Sequence, residues 1–258
     1  MILIDSRFAG DLLTYFDLNI LKTCSSTNDV AVKNAKNGLP EGTSYLSYLQ
    51  TKGRGRNNNQ WESIKGNLFL STIFRPRMSK VKWHQLSLII GLSIFETLIN
   101  LGVDKNIIEL KWPNDVLVQK SKISGILLES FDDFVVAGIG LNISKTPQNE
   151  SKWNTTKLYD HIDNDFSLKY IANVILEIIF KNYLIWENKG FKFFRNKINK
   201  YIYNINNKIV IKLNSQSVDI IGVFLGLGDN GSLKIKVGNE YLEYFSIESF
   251  FFPDEELS

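Results

Sequence analysis

The stretch of residues 51–61, TKGRGRNNNQW, constrains the fold most because it suits neither a helix nor a strand. Glycine loses more backbone entropy than other residues in either element, and asparagine side chains compete for backbone hydrogen bonds. Strand-like segments flank this stretch at residues 43–50 and 67–74. The sequence therefore predicts a mobile loop that joins two strands, called the arginine loop below.

Two arginines and two glycines give the arginine loop its chemical character. Arg54 and Arg56 offer planar guanidinium groups to a phosphate or a carboxylate, and Gly53 and Gly55 let the backbone approach a ligand closely. For an isolated GRGR, a solvated surface turn or a patch that contacts RNA is favoured over a loop that closes on an anion. The loop by itself leaves these interpretations open.

Composition excludes several classes of protein. The chain has 258 residues, with 30 basic and 27 acidic side chains, so a nucleic-acid partner bound by bulk charge has little support. Its single cysteine excludes an internal disulfide, and its two histidines, far apart in sequence, leave no zinc-like spacing. The acidic N-terminus is unlike a signal peptide, and the apolar runs fall short of the roughly 20 residues of a membrane span. We expect a cytoplasmic protein without a membrane segment.

Four consecutive polar residues, Ser25, Ser26, Thr27 and Asn28, precede a predicted helix at residues 29–36. All four are good helix caps, but capping explains only one or two of them. The alternative is a polar surface whose hydroxyl and amide groups face a small uncharged ligand. Both interpretations stay open at this stage.

The remaining pattern predicts an α+β fold in two parts. Further helices are expected at residues 83–101, 168–188 and 191–201, and further strands at 107–112, 116–118, 123–130 and 134–139. Short strands at 208–213, 218–227, 232–237 and 241–246 then suggest a small β-barrel. We expect a mixed β-sheet flanked by helices in residues 1–203 and an all-β domain in residues 204–258.

Several short motifs occur in an order that resembles biotin protein ligases over about residues 18–142. They are Ser26-Thr27-Asn28, Gln50, Gly53-Arg54-Gly55-Arg56, Trp61, Lys111-Trp112-Pro113-Asn114-Asp115, Lys122 with Gly125, and Gly138-Ile139-Gly140-Leu141-Asn142. KWPND followed by K-x-x-G-I-L-x-E is the most specific part. The resemblance implies a class II synthetase-like catalytic domain with an SH3-like C-terminal domain. It also implies formation of biotinyl-5'-AMP from biotin and ATP, and transfer of biotin to a lysine of a biotin carboxyl carrier domain of acetyl-CoA carboxylase or a related carboxylase.

The resemblance also implies roles for individual residues. Lys122, Arg54 and Arg56 are the expected catalytic residues, because fixed positive charge must offset the repulsion between a carboxylate and the α-phosphate of ATP. Mg²⁺ is expected mainly on the phosphate oxygens, with Asp115 and Asn142 as candidate ligands.

The expected binding residues fall into two sets. The uncharged head of biotin is expected against Ser26, Thr27, Asn28, Gln50, Gly53, Arg54, Lys122 and Gly125. The nucleotide is expected against Arg54, Arg56, Trp61, Asn114, Lys122, Asn142 and Trp153. Trp153 is equally well explained as an ordinary loop aromatic, and Trp112 is expected to be a core residue first.

The chain departs from the family at residues 57–60. Relatives usually read GRGRRG, whereas Asn58 stands here at the second position after the arginines, and asparagine tolerates a left-handed backbone. Bifunctional relatives carry an N-terminal helix-turn-helix domain, but here the site begins after 25 residues, so we expect no DNA binding. Oligomeric state, monomer or homodimer, is left open. The rival functions are a lipoate or octanoyl transferase of related fold and, more distantly, a nucleic-acid-binding module.

Overall fold

A computed structural model describes residues 16–147, 154–213, 219–247 and 249–253 of the chain. The helices are α1 (Thr27–Lys36), α2 (Gln85–Asn100), α3 (Leu168–Lys189) and α4 (Lys192–Lys200). The first strands are β1 (Asp17–Leu21), β2 (Thr43–Ser47), β3 (Leu68–Phe74), β4 (Ile108–Lys111), β5 (Asp115–Val118), β6 (Ser121–Ser130) and β7 (Val135–Leu141). The C-terminal strands are β8 (Lys208–Lys212), β9 (Ile220–Leu227), β10 (Leu233–Val237), β11 (Glu240–Tyr244) and β12 (Ser249–Phe251).

The first seven strands form one mixed sheet in the order β1-β2-β3-β7-β6-β5-β4. Strands β1 and β2 are parallel, and the other neighbouring pairs are antiparallel. Helix α1 packs against β2, β3 and β7, while α2 packs against β4, β5 and β6 and against α3. This arrangement confirms the predicted mixed sheet flanked by helices.

The two faces of the sheet bury different clusters because side chains alternate along each strand. Tyr45, Ile73 and Val136 pack against α1 in a small cluster, whereas the neighbouring Leu46 and Ala137 belong to the large core beneath α2 and α3. Helix α2 is buried on nearly every side, as expected of a helix between a sheet and another helix. The cluster beneath α1 is much smaller than the core beneath α2 and α3, so the α1 face of the sheet has room for a cavity.

Strands β8 to β12 form a separate antiparallel sheet in the order β11-β10-β9-β8-β12. The short strand β12 was not predicted, because its three residues are too few to show an alternating pattern. An SH3-like barrel and a boundary after residue 203 stay predictions. None of the helices in the described residues combines the length and apolar character needed to cross a membrane.

A turn of the second sheet is held against the first part of the chain. The indole nitrogen of Trp112 donates to the carbonyl of Gly231 at 3.2 Å, and the side chain of Gln85 donates to the carbonyl of Asn230 at 3.1 Å. Trp112 is 5% exposed, which matches its expected place in the core. The KWPND segment is thus fixed from behind by the C-terminal sheet.

We expect Trp112→Phe to loosen this junction. The substitution leaves the Gly231 carbonyl without its donor and should lower the free energy of unfolding by about 1–2 kcal/mol. Trp83→Phe is the matched control, since Trp83 is also 5% exposed and donates to Met78 only five residues away. Hydrogen exchange in residues 228–232 should accelerate in Trp112→Phe alone; equal acceleration in both variants would contradict the junction.

Candidate active site

The candidate site is a cavity of about 280 Å³ on the α1 face of the mixed sheet. Its floor is formed by glycines of two adjacent strands, Gly138 and Gly140 on β7 and Gly125 on β6, all on the face toward α1. The predicted site residues that line the cavity are Ser26, Thr27, Asn28, Gln50, Arg54, Arg56, Trp61, Asn114, Asp115, Lys122 and Gly125. Residues far apart in sequence thus meet in one place.

One side of the cavity is a polar wall made of Ser26, Thr27, Asn28 and Gln50. Ser26 occupies the N-cap position of α1, yet its side chain makes no capping hydrogen bond. Instead the Oε1 atom of Gln50 accepts from the Thr27 amide at 2.8 Å and lies 3.1 Å from the Thr27 hydroxyl. Ser26, Thr27 and Asn28 are each 3–4% exposed. Of the two interpretations of this segment, the geometry therefore favours the polar surface over helix capping.

Asn28 fits into space that a glycine leaves open. Its Oδ1 atom lies 2.6 Å from the Ser71 hydroxyl, and a side chain at position 138 would overlap it. Its amide nitrogen donates to a carboxylate oxygen of Glu129 at 2.8 Å. Because one end meets a hydroxyl donor and the other a carboxylate, the orientation of the amide is set.

Trp61 lies across the glycines at the other end of the floor. A Cβ atom at Gly125 would sit 2.8 Å from the indole ring, and one at Gly140 would overlap it. The Lys122 ammonium lies 5.5 Å from the ring centroid, within the range of a cation–π contact. The indole nitrogen is buried without a hydrogen-bond partner among the described residues.

The end of the cavity near Trp61, called the cationic end, is formed by Arg56, Lys122 and Asp115. Lys122 Nζ and Asp115 Oδ1 form an ion pair at 2.8 Å. That oxygen has no hydrogen bond of good geometry within the described structure, so the contact is ionic. Burial lowers the pKa of Arg56, and the Asp115 carboxylate acts in the opposite direction. A guanidinium still stays charged at neutral pH. Lys122 forms an ion pair with Asp115, and Arg56 adds a second positive charge, so among the described residues the cationic end has a surplus of positive charge.

Asn114 holds Arg56 at this end. The Nη1 atom of Arg56 donates to Asn114 Oδ1 at 3.1 Å, and the Asn114 amide donates to the carbonyl of Ile126 at 3.0 Å. The side chain of Asn114 thus links the arginine loop to strand β6. Its predicted contact with a nucleotide stays a prediction.

Arg54 points away from the cationic end and toward two carboxylates. Its guanidinium donates to both oxygens of Glu129, at 3.0 and 2.9 Å, and to Asp29 at 2.6 Å. The hydrogen bond to Glu129 is the main reason that the pKa of Arg54 is raised. Sequence reasoning missed both carboxylates, although Glu129 ends the K-x-x-G-I-L-x-E motif.

The arginine loop folds back on itself. The Gly55 amide donates to the carbonyl of Asn59 at 2.7 Å, and the Trp61 amide donates to the carbonyl of Gly53 at 3.1 Å. The left-handed residue is Asn57, with φ of 53°, one position before the place where relatives have glycine. A Cβ atom at Gly53 would lie 2.5 Å from the Trp61 carbonyl, so this close approach requires glycine.

Asn142 does not line the cavity. Its amide donates to the carbonyl of Thr156 at 3.1 Å, and the backbone of Lys122 pairs with the same segment through Asn154 and Thr156. Asn142 therefore helps hold the strand that carries Lys122, and its predicted nucleotide role stays a prediction. Trp153 lies outside the described residues. Within the described ranges, no group of three His, Cys, Asp or Glu side chains would form a metal cage.

Residues 20–143 match the model of the Biotin/lipoate A/B protein ligase family, which defines the broad class. The biotin protein ligase from Aquifex aeolicus, solved in complex with biotin and ATP, superposes with a TM-score of 0.79 and 30% identity, covering 92% of this chain and 99% of that one. The chain belongs to the biotin protein ligase family.

Two curated relatives show how far the likeness extends. The biotin–acetyl-CoA-carboxylase ligase of Mycobacterium tuberculosis is 29% identical over 225 residues, 86% of this chain and 84% of the relative. The bifunctional ligase/repressor BirA of Bacillus subtilis is 35% identical over 145 residues, 54% of this chain. The match spans only 42% of that relative's length.

We expect Gly138→Ala to destabilise the protein by about 2 kcal/mol, because the added methyl group overlaps the fixed Asn28 amide. Gly91→Ala in α2 is the control: the nearest atoms to its Cβ would be 3.9 Å away, and alanine favours the helix by up to about 1 kcal/mol. In urea denaturation, Gly138→Ala should have a lower free energy of unfolding than Gly91→Ala. Equal stability would mean that the floor of the cavity is not closely packed.

Proposed function

We propose that the protein is an ATP-dependent ligase that forms biotinyl-5'-AMP and transfers the biotinyl group to one lysine of a biotin carboxyl carrier domain. The observation that carries the proposal is the cavity itself, which joins an uncharged polar wall to a cationic end. Biotin has the same two parts, a neutral ureido head and a carboxylate tail. The relatives named as biotin ligases support the same assignment.

The polar wall supplies the groups that a neutral ureido head requires. Ser26, Thr27, Asn28 and Gln50 offer hydroxyl and amide donors and acceptors without net charge. Gly125 also lines the cavity, and the expected contact of biotin with the backbone at Gly53 stays a prediction. We assign the head of biotin to this wall.

The cationic end addresses the main electrostatic cost of the reaction. The biotin carboxylate attacks the α-phosphate of ATP, and pyrophosphate departs, so two anions must be brought together. Lys122 and Arg56 place positive charge there in a partly dehydrated cavity, where charges interact more strongly than in water. The carboxylate is already ionised and needs no general base. We assign the catalytic role to Lys122 and Arg56. The predicted catalytic role of Arg54 stays a prediction, because its guanidinium is bound to Glu129 and Asp29.

We expect Mg²⁺ to bind at this site together with ATP. Mg²⁺ is commonly held by one or two carboxylates together with substrate phosphates, and Asp115 is the carboxylate at the cationic end. When bound with ATP, it would neutralise charge on the departing pyrophosphate. The nucleotide is assigned to the same end, near Arg56, Asn114 and Trp61. Asn142 and Trp153 keep their proposed nucleotide roles, with Asn142 acting from behind Lys122.

Biotinyl-AMP is a mixed anhydride that water would hydrolyse, so the site must shield it until the carrier lysine arrives. The arginine loop is placed to do this, since Arg54, Arg56 and Trp61 all line the cavity. We propose that it closes when both substrates are bound. The carrier's attacking lysine then displaces AMP, and an amide bond replaces the anhydride.

The matched family also includes lipoate ligases, so lipoate is the competing substrate. The relatives covered over most of their length are named for biotin, which favours biotin. A cytoplasmic location, the absence of DNA binding and the choice between monomer and homodimer stay predictions.

Carrier labelling tests the proposed function. The purified protein with biotin, ATP and Mg²⁺ should add one biotinyl group to a single lysine of a biotin carboxyl carrier domain, as read by intact and peptide mass spectrometry. Lipoate in place of biotin is the control reaction. Modification with lipoate and none with biotin would overturn the assignment.

Removing the charge at Lys122 tests the role of the cationic end. Lys122→Gln should raise the barrier to adenylation by roughly 3 kcal/mol, a slowing of about a hundredfold, because one electrostatic contact to the transition state is lost. Lys120→Gln makes the same chemical change at an exposed position two residues away. Thermal unfolding of both variants separates catalysis from stability. Unchanged turnover in Lys122→Gln would remove Lys122 from the mechanism.

A further inference from the structure

Glu129 carries a set of contacts that the reaction chemistry above does not use. This residue lies near the end of β6, on the face toward α1, opposite Val136 of β7. Its carboxylate accepts two hydrogen bonds from Arg54 and one from the amide of Asn28. One side chain of the sheet therefore joins the arginine loop to the polar wall.

The position of this carboxylate is well defined. Strand β6 pairs with β7 along residues 124–130, with Glu129 opposite Val136, so the backbone that carries Glu129 is held in the sheet by β7. The Glu129 side chain is 23% exposed, whereas that of Arg54 is 42% exposed. A fixed, half-buried acceptor thus holds a more exposed and more flexible partner.

The two arginines of the loop have opposite electrostatic surroundings. Arg54 lies between two carboxylates, Glu129 and Asp29, so its charge is more than balanced. Arg56 and Lys122 together have one carboxylate, Asp115. The cavity thus offers surplus positive charge at one end only, which suits a ligand with a neutral head and an anionic tail.

We propose that Glu129 is a positioning residue for biotin binding: it holds Arg54, and through Arg54 the arginine loop, beside the polar wall that receives the head of biotin. The identity of the ligand rests on the proposed function, whereas the contacts of Glu129 with Arg54 and Asn28 are made within the protein itself. Arg54 is the group that meets the ligand, and Glu129 acts through it.

A carboxylate is required here because both of its oxygens accept hydrogen bonds. Glutamine at position 129 would present an NH₂ group to the guanidinium of Arg54 in either orientation, because each carboxylate oxygen of Glu129 accepts from Arg54. Glu129→Gln therefore keeps the size of the side chain and removes at least one charge-assisted hydrogen bond.

The first test follows the loop without any ligand. Trypsin cleaves after Arg54 and Arg56, and its rate reports how often the loop opens. Glu129→Gln should raise cleavage about tenfold, as expected for loss of a hydrogen bond to a charged group. Asp29→Asn changes a carboxylate that accepts from Arg54 through one oxygen, whereas Glu129 accepts through both, so it should give a smaller increase. Glu240→Gln, the same change at an exposed residue of β11, should leave the rate unchanged.

The second test separates binding from catalysis. At saturating ATP, Glu129→Gln should raise KM for biotin about tenfold while kcat stays within about threefold, because the loss lies in ligand positioning. In a double-mutant cycle, the variant with both Arg54→Gln and Glu129→Gln should have a KM for biotin within about twofold of the higher KM of the two single variants. Effects that multiply would show that Glu129 does not act through Arg54 and would overturn the proposal.

The outcomes also separate this proposal from the proposed function. A wild-type protein that does not use biotin would overturn the proposed function, while the trypsin comparison would still decide whether Glu129 holds the loop. Unchanged cleavage and unchanged KM in Glu129→Gln, with an active wild type, would overturn the positioning role alone.

Discussion

The architecture of the site depends on two positive side chains, Lys122 and Arg56, that lie at the same end of the cavity as one carboxylate, Asp115. Lys122 on strand β6 forms an ion pair with Asp115, and Arg56 of the arginine loop is held by the neighbouring Asn114, so two positive groups lie at one end of the cavity despite their mutual repulsion. The fold achieves this through neighbouring strands. Asp115 stands opposite Gly125 in the β5–β6 pair, and the backbone of Lys122 is clamped by residues 154–156.

Glycine residues, which have no side chain, are as important to the site as the charged residues. Gly125, Gly138 and Gly140 leave a shallow floor on a sheet that elsewhere carries bulky residues, and Asn28 and Trp61 fill part of that space. The polar group and the aromatic ring can then lie flat against the backbone. A neutral wall and a cationic end become adjacent on the same face, and Glu129 ties the wall to the arginine loop.

The sequence predicted the helices and strands well because their hydrophobic periodicity is local information. It also placed Ser26, Gln50, Arg54, Arg56 and Lys122 in one site through the order of their motifs. What it missed depends on distant contacts. Glu129 meets Arg54 from 75 positions away.

Two further features show the limits of local patterns. The residue types that cap helices also build polar walls, so only the buried contact between Thr27 and Gln50 separates the two interpretations. Asn142 is expected to bind the nucleotide from its motif, and that role stays a prediction; the structure adds a contact that the motif does not reveal, from its amide to the Thr156 carbonyl beside the Lys122 strand. The most direct measurement of the central claim is exchange of labelled pyrophosphate into ATP in the presence of a panel of acids. Exchange that depends on biotin is predicted; exchange that depends on lipoate and not on biotin would contradict the account.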